Sequence, residues 1–247
     1  MPIGRTGFYG KVPSLGDFVK RRLPTELIEP WDQWLQASLA ASRAQLGDGW
    51  LDRYLTSPLW RFVLSPGVAG QGAWAGVLMP SVDRVGRYFP LTLACPLPPG
   101  TNPFDILRSP AWFEQAEALA LTGLVDPFSL PTFDGQVLAL GTPTSARPEP
   151  YPPSTAGLGR ANAWHLSTAS GAELPGVCST LLALALDQVF LAYSLWWSRG
   201  SEQVAPSLLA CQGLPPTDGF SALLTGDWGE RGWRQLGTLP PVGTPGV

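Results

Sequence analysis

Apolar positions along the chain fall into short runs broken by glycine and proline, and the spacing within the runs follows two different periods. Leu27, Ile28, Trp31, Trp34, Leu35 and Leu39 recur every three or four residues, which lays one apolar stripe along a helix. Pro30 fits the first turn of that helix, and Gly47 ends it, because glycine accepts a left-handed backbone without a side-chain clash. Residues 50–55 read as a second short helix that Ser57-Pro58 breaks. Residues 8–12 and 59–64 are aromatic and β-branched, the composition of strands, with Lys20-Arg21-Arg22 expected on a loop between elements. Two further apolar runs, 73–79 and 88–95, flank Pro80 and Pro90. Neither proline can donate to a ladder, so this region predicts strand, ordered loop, strand, with the strand at 59–64 beside both.

Further on, Asn102-Pro103 and Ser109-Pro110 each set a capping residue before a first-turn proline, which predicts two helix starts. Trp112, Phe113, Ala116, Leu119 and Ala120 supply the buried face. Residues 142–159 hold five prolines and almost no large apolar side chains, so they predict a long exposed loop or a domain boundary. Residues 181–197 form the most apolar run, interrupted by Asp187 and Gln188 and shorter than the roughly 20 residues that span a bilayer. They predict a buried helix leading into a strand, without membrane insertion. Residues 194–198 and 205–211 read as paired strands joined at Arg199-Gly200-Ser201-Glu202, and 220–224 as a last helix. The order predicts an α+β fold, a mostly antiparallel central sheet covered by helices, in a single domain over 1–228. Residues 229–247, rich in Gly and Pro, predict a flexible tail.

Composition narrows the chemistry. Sixteen basic and nineteen acidic residues give a formal charge of −3 with no basic block, which argues against nucleic acid as a partner. Cys95, Cys178 and Cys211 are far apart, so they predict buried thiols in a reducing cytoplasm and neither a disulfide framework nor a metal knuckle. Asp17, Asp83 and Asp134 show no dense acidic motif, and one histidine, His165, is too few for zinc; no metal or cofactor is expected. Gly10-Lys11 lacks the P-loop partners, since Arg5 and Val12 stand where that motif needs Gly and Ser or Thr. Eleven tryptophans read as core ahead of a ligand cage, with Trp196 and Trp197 on opposite faces of a strand.

The loop between the two prolines carries the densest polar cluster. Ser81, Asp83, Arg84 and Arg87 predict a recognition surface, joined by Lys11 and Asp17, because an arginine fork suits carboxylate or phosphate groups on a partner. Set against this is a bracing role, in which Asp83 pairs with Arg84 or Arg87 only to hold the turn. A hydrolase using Ser81 and His165 is the enzymatic alternative, although no Gly-x-Ser-x-Gly elbow surrounds Ser81. The expectation is no catalytic residue.

Five stretches taken together resemble a known family. They are Gly7-Phe8-Tyr9-Gly10-Lys11-Val12-Pro13, Gly16-Asp17-Phe18-Val19, Pro30-Trp31-Asp32-Gln33-Trp34-Leu35, the loop at 79–90, and Ser194-Leu195-Trp196-Trp197-Ser198. From about residue 7 to 228 the chain resembles the TagF family, also called ImpM, of the bacterial type VI secretion system. The resemblance implies a cytoplasmic, post-translational regulator of secretion, usually repressive, that binds a scaffold protein carrying a forkhead-associated domain. Relatives fused to a phosphatase imply association with a phosphatase/kinase pathway, but no such module is recognised in this sequence. A structural component of the secretion assembly is the remaining alternative.

Overall fold

The computed structural model describes residues 4–143, 174–229 and 231–237. Its frame is a sheet built from β1 (Gly7–Gly10), β2 (Val19–Arg21), β3 (Trp60–Leu64), β4 (Trp74–Met79), β5 (Leu91–Pro96), β6 (Tyr193–Ser198) and β7 (Ser207–Gln212). The strand order is β2-β1-β5-β4-β3-β6-β7, and every neighbouring pair is antiparallel. The expected antiparallel α+β architecture is the one observed.

Both faces of the sheet are covered, which explains why β3, β4 and β5 read as nearly unbroken apolar runs. One face packs against α1 (Thr25–Leu46), α2 (Trp50–Leu55) and α7 (Phe220–Thr225); the other packs against α4 (Pro110–Thr122) and α5 (Leu130–Ala139). Alternation sorts the side chains: Trp60, Phe62 and Leu64 go to the α1 face, while Val63 goes to the α4 face. Trp31 and Trp34 of α1 meet Phe62 and Trp196 at ring-centroid distances of 4.8 to 5.8 Å. Their indole N–H groups are satisfied, Trp31 donating to Thr92 Oγ1 at 2.9 Å and Trp34 to the Pro215 carbonyl at 2.8 Å. Trp197 turns to the opposite face and meets Phe113 edge-on at 4.7 Å. There Arg61 forms a two-pronged bond to Glu117, both contacts at 2.6 Å, tying β3 to α4.

Several expectations are corrected. Lys20 and Arg21 lie in β2, because the outer edge of β1 offers Tyr9 and Phe8 as pairing partners. α1 begins at Thr25, where Leu27 and Ile28 donate to the Pro24 carbonyl, so Pro30 sits in the second turn. β3 borders β4 and β6, not β5. α5 has no counterpart among the expected elements, although Ser129 caps it and Pro131 stands in its first turn. α3 (Pro103–Ile106) starts as expected, with Asn102 Oδ1 accepting from Phe104 N–H at 2.9 Å. α6 (Leu174–Val189) is not buried: Leu182 and Val189 face outward, and Cys178 is an exposed thiol. The tail expected from 229 is docked at its start, where Trp233 packs edge-on against Trp228 and donates to the Gly219 carbonyl at 2.8 Å. Most of the loop expected at 142–159 and His165 lie outside the described residues.

Candidate functional site

β1 delivers the chain to the loop between β4 and β5. Gly10 has φ 143°, and a Cβ there would stand 2.1 Å from the Pro90 carbonyl oxygen, so only glycine lets the two segments meet. The following residue, Lys11, is buried beneath the loop. The loop itself closes as a small hairpin: Asp83 N–H donates to the Arg87 carbonyl at 3.1 Å, Gly86 N–H to the Asp83 carbonyl at 3.0 Å, and Phe89 N–H to the Ser81 carbonyl at 3.1 Å.

Asp83 is the hub. It is 3% exposed, and four donors converge on its carboxylate. Lys11 Nζ and Arg87 Nε reach Oδ2, each at 2.7 Å, while the Val85 and Arg87 N–H groups reach Oδ1 at 3.0 and 2.8 Å. Burial alone pushes this carboxyl up, but the Lys11 ammonium, the Arg87 groups and the Val85 N–H outweigh it and hold it well below the usual range. With its lone pairs filled, Asp83 has nothing left to offer a partner.

Ser81 is equally committed. Its hydroxyl donates to the Lys11 carbonyl at 2.7 Å, and Tyr54 brackets its backbone, donating to the Ser81 carbonyl at 2.8 Å and accepting from its N–H at 3.0 Å. Burial pushes the Tyr54 phenol well above its usual value, so it stays a donor. Tyr54 in turn stacks on Trp50 at 4.8 Å, and both meet Tyr88 edge-on, with the Arg43 guanidinium 4.1 Å above Trp50.

The six residues singled out in the sequence therefore split. Lys11, Ser81 and Asp83 are buried and hold the loop from behind, so they do not lie on the expected recognition surface. Arg84, Arg87 and Asp17 are exposed. Of the two bracing pairs considered, the Asp83–Arg87 pair forms, although the Arg87 side chain remains 60% exposed and also donates to the Gly16 carbonyl. The Arg84 backbone is fixed by its N–H to the Leu15 carbonyl at 3.0 Å, while its guanidinium makes no ion pair among the described residues.

Phe18 is the residue missed. Its ring is 45% exposed yet fixed on three sides: stacked on Tyr9 at 5.4 Å, edge-on to Phe89 at 4.8 Å, and under the Lys11 ammonium at 4.9 Å. No local period marks it, because β2 has only three residues and Phe18 precedes them; the pairing of β2 with β1 sets a buried Val19 next to the exposed Phe18. Val85, in the loop between β4 and β5, is also exposed. The surface is one exposed aromatic ring beside two arginines on a hydrogen-bonded hairpin.

Among the described residues, no cluster of three or more His, Cys, Asp or Glu side chains is placed to hold a metal ion, and no helix is long and apolar enough to cross a membrane. A cleft of about 280 Å³ lies elsewhere, on the α1, α2 and α7 side.

The TagF N-terminal domain, type VI secretion system-associated, matches residues 7–140. The crystal structure of PA0076 from Pseudomonas aeruginosa PAO1 aligns with a TM-score of 0.77 at 38% sequence identity, covering 98% of this chain and 99% of that one. No curated protein matches. The matched domain spans β1 through α5 and thus contains the whole clasp of Lys11, Asp83 and Arg87, and on this basis the chain belongs to the TagF family of type VI secretion system-associated proteins.

Proposed function

We propose that this protein is an accessory, post-translational regulator of a type VI secretion system, repressive in sense, which acts in the cytoplasm by binding a scaffold protein that carries a forkhead-associated domain. It works by docking and not by catalysis. The observation that supports a docking role is Phe18, a large aromatic ring left open to solvent yet immobilised by Tyr9, Phe89 and Lys11 and accompanied by Arg84 and Arg87. Aromatic and arginine side chains dominate binding energy at interfaces, and a ring already fixed loses little conformational entropy on binding. The clasp neutralises Asp83 inside the protein, so the exposed side of the hairpin is basic while the chain as a whole carries −3. An acidic partner surface with an apolar notch is the complement.

Affinity capture from the native bacterium tests this. The scaffold protein is expected to co-purify with the wild-type chain, and secretion is expected to rise when the chain is deleted. Capture of the membrane or tube components of the assembly in fixed stoichiometry, with no scaffold protein, would point to a structural component and contradict the proposal.

A further inference from the structure

We propose that the cleft between α1, α2 and α7 is a binding site for a small oxyanion, a phosphate monoester or a carboxylate, held between the guanidinium groups of Arg53 and Arg231. The two side chains reach the cleft from separate parts of the chain, Arg53 from α2 and Arg231 from the segment that follows Trp228. Arg231 has φ 70°, which a non-glycine residue seldom adopts. Among the described residues the other such case is Arg22, with φ 60°, whose guanidinium is used on Asp134 and the Thr6 carbonyl.

Arg231 is positioned but not used up. One nitrogen, Nη1, donates to Gln45 Oε1 at 2.8 Å and Ser221 Oγ at 2.6 Å, leaving the rest of the fork without a hydrogen bond among the described residues. Arg53 makes no hydrogen bond or ion pair there at all. Asp227 lines the same cleft, yet it pairs with neither arginine. Two arginines that line one cleft and make no ion pair among the described residues match the paired oxygens of a carboxylate or a phosphate. The volume, about 280 Å³, sits just under the roughly 300 Å³ at which pockets for drug-sized ligands begin, so the occupant is a single anionic group on a short stem, which Leu46 contacts. Asp227, in the same lining, disfavours a second anionic group on the ligand.

The test is thermal unfolding of the full chain in increasing inorganic phosphate or acetate, each against chloride at equal ionic strength. A ligand that binds the folded state raises Tm with its concentration. Phosphate, acetate or both are expected to do so beyond chloride, and whichever acts identifies the class. Arg53→Ala removes an exposed, unbonded side chain, so its Tm without anion is expected to match the wild type while its apparent affinity falls roughly tenfold or more. Asp227→Asn is expected to bind more tightly. No shift beyond chloride with either anion, or a full shift retained in Arg53→Ala, overturns the proposal.

Discussion

At the scale of single residues, Asp83 decides what its neighbours are free to do. By accepting from Lys11 and from Arg87 on one oxygen, it neutralises a buried ammonium and curls the hairpin so that Arg84 points outward. Asp83→Asn keeps the shape but removes the charge, stranding Lys11 in a site that is nearly closed to water. Breaking one partner out of a buried pair is expected to lower stability by about 3 kcal/mol. The pH dependence follows from the direction of the shift. Because the folded carboxyl lies below its unfolded value, its contribution is complete above the unfolded pKa of about 3.9 and is lost as pH falls from there towards the folded value. Unfolding curves of wild type and Asp83→Asn should therefore be furthest apart near neutrality and converge in strong acid. A gap that widened in acid would contradict this assignment.

At the scale of elements, the clearest segments were those with their own period. The stripe from Leu27 to Leu39, the aromatic runs of β3 to β5 and the proline-marked starts of α3 and α4 are local signals, and the structure places elements on each. β2 carries three residues and no period; it is a strand because β1 has an unpaired edge next to it. α6 is apolar enough to read as buried, but its length of apolar sequence says nothing about which neighbours cover it, and its described outer side chains are exposed. The C-terminal segment misled for the opposite reason: its Gly and Pro content hides one anchoring tryptophan. Trp233 packs on Trp228 and bonds to Gly219, contacts worth about 2 kcal/mol together. Truncation after Gly229 is thus expected to lower Tm measurably, and an unchanged Tm would show that this contact contributes nothing.

At the scale of the whole molecule, the candidate site is half legible for a geometric reason. That the loop mattered could be read from its charges and its two prolines, but which charges face inward depends on Lys11, 72 positions away from Asp83, and on Tyr54, 27 positions away from Ser81. Sheet order brings them together: β5 lies between β1 and β4, so the end of β1 meets the loop that joins β4 to β5. Arg84 and Arg87, alike in sequence, thereby acquire different duties. Arg87 is part brace and part surface, so reversing its charge disturbs folding and binding together. Arg84 is surface alone. The dissociation constant of purified Arg84→Glu for the forkhead-associated-domain scaffold protein, measured beside its unfolding midpoint, is the most direct test. The docking account predicts binding at least tenfold weaker, about 1.4 kcal/mol, with stability within about 0.5 kcal/mol of wild type. Wild-type affinity in a folded Arg84→Glu variant would contradict it.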